Sequence, residues 1–218
     1  MKERLDAVQE RMEAACRRSG RSLPEITLVA VTKVFPAAVI CDAHALGLRH
    51  FGENYVQEFA GKAPHVAGLN GSVFHLIGHL QSNKSKVASD LFQVIQTVDT
   101  PKLAKRLNDS GKPIQVMIEV KLSPEEAKSG ASPDDLGVLI DTIRACSNLE
   151  LLGLMTMPPW SDDAEPSRPY FRRLYDLGAK HGVSKLSMGM SHDFEVAIEE
   201  GATHIRIGTA LFGSRKKT

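Results

Sequence analysis

Eight short β-rich runs, separated from one another by helical stretches, constrain this chain more than any other feature of its sequence. The runs are Ile26 to Thr32, His50 to Gly52, Val73 to Ile77, Gln93 to Val98, Ile114 to Val120, Leu151 to Met155, Lys185 to Met188 and His204 to Ile207. Between them apolar residues recur at helical spacing, as in Leu136, Leu139, Ile140 and Ile143, or in Phe194, Ala197 and Ile198 ahead of Gly201. Thr100-Pro101 sets a capping hydroxyl before a first-turn proline, and Ser132-Pro133-Asp134-Asp135 opens another helix in the same way. Strands separated by helices pair in parallel, and eight such units close a barrel. The expected fold is α/β: a single (β/α)8 TIM-type barrel over residues 1–218. An extra N-terminal helix precedes it, with the stripe Leu5, Val8, Met12 and Ala15 and a stop at Gly20. An open doubly wound sheet is the alternative, but no Gly-rich dinucleotide or P-loop fingerprint follows any run.

Charge narrows the class of partner. Lys and Arg total 27 against 26 for Asp and Glu, so neither sign is in excess to recruit nucleic acid, a membrane surface or an acidic macromolecule. A small molecule is the expected ligand. Cys16, Cys41 and Cys146 are an odd number without CxxC spacing, and all three fall in segments that read as helix. They support neither a disulfide framework nor a metal site, and reduced packing thiols are expected. The mixed-charge start Met1-Lys2-Glu3-Arg4-Leu5-Asp6 has no apolar leader, and no later stretch approaches 18 apolar residues. A cytoplasmic protein without a membrane span is expected.

In a parallel barrel the chemistry gathers at the carboxyl ends of the strands. The first run is almost wholly apolar and delivers Lys33 to that rim. A lysine there either starts an exposed loop or attacks a carbonyl as a neutral amine, which an apolar pocket or a neighbouring cation favours. At the other end of the chain, Leu186-Ser187-Met188-Gly189-Met190-Ser191-His192-Asp193 and Arg206-Ile207-Gly208-Thr209 leave strands seven and eight, where barrels commonly bind phosphate. Glycine admits backbone N–H groups to an anion, and Ser187, Ser191 and Thr209 carry hydroxyls. A tight strand-to-helix turn with Ser191 as a cap is the plainer reading of the first segment.

Six blocks in order resemble the pyridoxal 5′-phosphate (PLP) homeostasis proteins, the YggS/PROSC-type family, which look like the barrel domain of alanine racemase without its second domain. They are Ala30 to Lys33, Phe51 to Glu58, His75 to Lys84, Gly153 to Met155, Ser187 to Ser191 and Arg206 to Gly213. The resemblance implies a PLP fold type III barrel, with PLP as cofactor and Lys33 as its Schiff-base lysine. It places Ser187, Ser191, Gly208 and Thr209 around the phosphate and Arg206 against the pyridine nitrogen. Asn54 and His75 stand at or near the ends of strands two and three. They either line the cofactor pocket or serve as a helix cap and a core histidine.

An arginine facing the ring nitrogen has a chemical consequence of its own. Guanidinium only donates, so the nitrogen must accept and stay unprotonated, which makes the ring a weaker electron sink. The family's frequent second lysine, two places after the first, is Phe35 here, whereas Lys128 matches a family lysine and is either a cofactor contact or a solvated loop residue. The resemblance thus implies a monomeric carrier or regulator of PLP in vitamin B6 homeostasis, with PLP-dependent apoenzymes as candidate recipients. A PLP-dependent amino-acid racemase is the alternative. It needs a base on each face of the substrate, and the tyrosines, Tyr55, Tyr170 and Tyr175, are not placed to supply the second. A barrel enzyme forming an imine with a sugar phosphate at Lys33 is a third reading.

Overall fold

The computed structural model describes residues 1–123 and 129–213. Eight parallel strands, β1 (Thr27–Val31), β2 (His50–Glu53), β3 (Val73–Leu76), β4 (Val94–Val98), β5 (Ile114–Glu119), β6 (Leu149–Met155), β7 (Lys185–Met190) and β8 (His204–Ile207), close into a barrel in chain order. Closure is made by β1 against β8, with Thr27 opposite His204 and Ala30 opposite Ile207. The barrel anticipated from the alternating runs is therefore the fold.

The α-helices among the described residues are α1 (Lys2–Ser19), α2 (Ala37–Ala45), α3 (Val56–Val66), α4 (Ser85–Leu91), α5 (Pro101–Asn108), α6 (Leu136–Arg144), α7 (Arg168–His181), α8 (Phe194–Glu199) and α9 (Thr209–Phe212). Their ends follow local chemistry. The Thr100 side chain accepts the Leu103 N–H at the start of α5, satisfying one of the first-turn donors that no helical carbonyl reaches. Gly20 ends α1 in the left-handed region at φ 68°, which glycine enters without steric cost.

Four details differ from the sequence reading. Helix α6 begins at Leu136 with Asp135 in the cap position, so Ser132 does not cap it and Pro133 precedes it; the Ser132 hydroxyl instead accepts the Asp135 N–H in the turn before it. Strand β6 begins at Leu149, because Leu149 and Glu150 already pair with Ile114 and Gln115. Strand β7 runs on to Met190, with its register against β8 shifting between Ser187 and Met190. Gly189, at φ 90°, makes that shift possible. Cys146 lies just beyond α6 rather than within it.

Two layers of side chains are buried, and alternation along the strands separates them. Leu28, Ala30, Leu76, Ile95, Val116, Ile118 and Leu154 point outward into the apolar layer shared with the helices. Their strand neighbours Val29, Val31, Val94, Met117 and Met155 are also buried but do not join that layer, so they fill the barrel's interior. The interior is not all apolar. His75, Gln96, Ser187, His204 and Arg206 are buried as well, and a buried polar side chain needs hydrogen-bond partners. Those partners organise the site above them.

Candidate functional site

A cavity of about 630 Å³ opens at the C-terminal rim of the barrel. It brings together six of the residues expected there: Lys33, Asn54, Ser191, Arg206, Gly208 and Thr209. Val31, Phe35, Ile77, Met157 and Trp160 supply apolar wall. A second hollow, between α1, α7 and α8, is lined by charges committed to one another: Arg168 bonds Glu165, Glu199 and Glu200. Of these two, the rim cavity combines an amine with donors for an anion.

Arg206 anchors the floor. Its Nη1 donates to Ser187 Oγ at 2.8 Å and its Nη2 to the Thr156 carbonyl at 2.9 Å. Burial pushes its pKa down to about 10, with Asp193 and Glu119 opposing the shift. The guanidinium thus keeps its charge at neutral pH, and its remaining N–H groups are its only means of meeting a ligand.

Ser187 and His75 do not line this cavity; the structure places both buried beneath it. The Ser187 hydroxyl is fully buried; it accepts from Arg206 and donates to Gln96 Oε1 at 2.6 Å. Gln96 Nε2 then donates to His75 Nδ1 at 3.0 Å, so the His75 proton sits on Nε2 and is given to His50 Nδ1, also at 3.0 Å. Burial, then the neighbouring His50 and His204, hold the His75 pKa well below its ordinary value. Both side chains belong to a polar column beneath Arg206. Gln96, which the sequence did not single out, is the column's middle member.

The turn from β7 and the start of α9 form another part of the cavity wall, beside β1. Ser191 Oγ accepts the N–H groups of Gly208, at 3.2 Å, and Ala210, at 3.3 Å. Ser191 therefore bridges two loops instead of capping α8, and its own hydroxyl proton remains to be given to an anion. Thr209 and the Gly208 backbone line the same corner.

Asn54 follows β2, and its Oδ1 is buried without a hydrogen-bond partner among the described residues. Such an atom is costly unless a ligand satisfies it. Gly78 presses against it: a Cβ at Gly78 would lie 2.3 Å from the Asn54 carbonyl oxygen. The β3 loop can close over Asn54 only because that Cβ is missing.

Other residues at this rim escaped the sequence reading. Glu119, at the end of β5, lines an adjoining chamber of about 370 Å³ that shares His79, Met157, Trp160 and Met190 with the main cavity. Burial pushes its pKa up to about 7, with Asp99 adding to the shift and Arg206 opposing it. Its position at a strand end was the available signal. Trp160 packs against His192 with ring centroids 4.1 Å apart and the rings tilted by 48°. Lys128 lies outside the described residues.

A closed parallel barrel carrying a strand-end lysine, with a buried arginine and a hydroxyl-lined turn in the same cavity, defines a barrel of the alanine racemase N-terminal type. The family model of that domain matches residues 4–216. Among curated relatives, the pyridoxal phosphate homeostasis protein of Pseudomonas aeruginosa is 42% identical over 219 residues, covering 98% of this chain and 95% of the relative. PipY of Synechococcus elongatus is 36% identical in two solved structures. The form without PLP superposes with a TM-score of 0.87 over 97% of this chain and 99% of its own. The form with PLP bound gives 0.81 over 93% and 100%. The chain belongs to the pyridoxal phosphate homeostasis protein family.

Proposed function

We propose that this chain binds PLP, with Lys33 as the amine that takes its aldehyde as a Schiff base, and that it serves PLP homeostasis as a carrier or regulator. The observation that carries the reading is the single cavity uniting Lys33, Arg206 and the Ser191–Gly208–Thr209 corner. The donor set fits PLP group by group. The orphaned Asn54 Oδ1 suits a ring hydroxyl, the donor-only Arg206 suits a ring nitrogen that accepts, and the Ser191 and Thr209 hydroxyls suit phosphate oxygens. When bound, PLP supplies an electrophilic aldehyde joined to an electron-withdrawing ring.

The surroundings support holding rather than turnover. Arg206 keeps its protons and leaves the ring nitrogen an acceptor, which weakens the electron sink. A racemase also needs a second base. Tyr55 is exposed and outside the cavity wall, and Tyr170 and Tyr175 stand on α7. His79 and His192 do line the wall, but His79 Nδ1 is 3.9 Å from Asp99 and His192 Nε2 is 3.5 Å from Asp193. Neither ring is oriented by a carboxylate hydrogen bond of the kind that prepares a catalytic histidine. We take the working unit to be a cytoplasmic monomer built as one barrel domain, with PLP-dependent apoenzymes as recipients. No helix among the described residues is long and apolar enough to cross a membrane.

The test is absorption spectroscopy of the purified chain with PLP, before and after borohydride, alongside Lys33→Ala. Wild type is expected to show an imine band and a borohydride-fixed adduct on Lys33, and the variant neither. Absence of the band in wild type refutes the reading. Sustained formation of D-alanine from L-alanine over many turnovers would replace the carrier by the racemase.

A further inference from the structure

Immediately after Lys33 the backbone does something its sequence does not favour. Val34 has φ 61°, the one positive φ at a non-glycine among the described residues. A β-branched side chain in the left-handed region is strained, and such a residue persists only where its surroundings hold it. Packing of the side chain does not hold it, since Val34 is 54% exposed. Its backbone N–H, however, donates to Glu58 Oε1 at 2.6 Å.

Glu58 is itself fixed from behind. Lys62, one helical turn further along α3, lies 2.6 Å from the same Oε1. The Lys62 ammonium is buried, and it donates to the Thr32 carbonyl at 3.0 Å and to both oxygens of Glu53 at 2.9 and 3.0 Å. Glu53, with no exposed surface, also accepts from Thr32 Oγ1 at 2.7 Å. Residues on both sides of Lys33 are therefore gripped by one cluster, Thr32 by Lys62 and Glu53 and Val34 by Glu58. A buried ammonium and a buried carboxylate are costly unless paired. Here the pairing is directed onto the two residues that flank the lysine, Thr32 and Val34.

The geometry points to Glu58, backed by Lys62 and Glu53, as a positioning device that holds the Thr32–Val34 turn in its strained conformation and so aims Lys33 into the cavity. Glu58 touches no ligand in this arrangement. It acts through the Val34 N–H, and Lys62 keeps its carboxylate in place. The inference rests on the proposed PLP-holding function for its meaning, but the grip on the turn exists without any ligand.

A cycle of variants tests it, using Glu58→Ala and Val34→Gly singly and together, with Glu58→Gln as the conservative control. Two readouts are needed: amide hydrogen exchange at Val34 in the ligand-free chain, and the equilibrium constant for the borohydride-trappable PLP adduct at Lys33. Loss of a hydrogen bond to a charged acceptor should raise exchange at Val34 and weaken adduct formation about tenfold in E58A. E58Q still offers an oxygen to the Val34 N–H and should recover most of that loss. Glycine enters the left-handed region without strain, so in the V34G background the E58A change should shrink to about twofold. An E58A effect equal in both backgrounds, or none on either readout, overturns the proposal. A wild type that forms no adduct refutes the PLP reading instead, while exchange at Val34 still reports on the grip.

Discussion

A buried arginine needs acceptors as much as it needs to be near its ligand. Arg206 meets that need through Ser187 Oγ and the Thr156 carbonyl, and Ser187 passes the demand down to Gln96, His75 and His50. Because guanidinium cannot accept, every proton in this column is directed one way, from Arg206 toward His50. Ser187→Ala breaks it at the link nearest the cavity. The Arg206 Nη1 and Gln96 Oε1 atoms, both on buried side chains, would each lose a partner, at a cost of about 1–3 kcal/mol. We expect the urea midpoint to fall with an unchanged m value, and adduct formation at Lys33 to weaken as Arg206 loses its fixed orientation. Unchanged stability would mean that the column is not what satisfies Arg206.

At the scale of elements, α1 is the piece that a bare barrel lacks. Its buried stripe, Leu5, Val8, Met12, Ala15 and Cys16, belongs to the outer apolar layer, and Arg11 pins it to α8 through two bonds to Glu195. The helix thus braces the elements that follow β7 and β8, where the hydroxyl-lined corner is built. Met12→Ala removes a side chain that is 3% exposed and should cost about 2–5 kcal/mol in thermal or urea unfolding, the spread depending on how far α8 collapses into the gap. Elements such as these were legible in the sequence because a helical stripe and an apolar strand have different periods. The barrel, the order of its strands and the rim position of Lys33 followed from that alternation. What lay beyond reach was the content of the barrel's interior. A strand buried on both faces does not announce which face looks inward. His75 and Ser187 read as ligand contacts because their types suit either role. Only the seating of β3, β4 and β7 around one axis shows that Gln96 lies between them and takes both. The grip on Val34 was hidden for a related reason: Glu58 and Lys62 look like an ordinary i,i+4 surface pair until α3 is docked behind β1.

For the whole molecule, the same polar interior makes stability depend on pH in two opposing ways. His204 is pushed down to about 4 by burial first and then by His50, Lys185 and Arg206, and His75 is held well below its ordinary value. Unfolded, both histidines take up a proton near pH 6.5. Their contribution is therefore complete above pH 6.5 and drains away as pH falls toward 4, where the unfolded chain binds more protons than the folded one. Glu119 behaves in the reverse sense. Its pKa rises from an ordinary 4.5 to about 7, so the folded chain keeps a proton that the unfolded chain releases, and its contribution is complete below pH 4.5 and lost as pH rises through 7. At pH 8 the buried Glu119 carboxylate is ionised at a cost of up to about 3.5 kcal/mol, taking about 1.4 kcal/mol for each unit of displacement. Glu119→Gln keeps the shape and never ionises. Relative to wild type, E119Q should gain stability between pH 5 and pH 8, while the loss between pH 6.5 and pH 4 that the histidines cause persists in both proteins. Urea unfolding of the two chains at pH 4, 5, 6.5 and 8 measures this. A stability difference between them that is the same at pH 5 and pH 8 would show that Glu119 ionises as readily folded as unfolded, the charge of Arg206 then offsetting the cost of its burial.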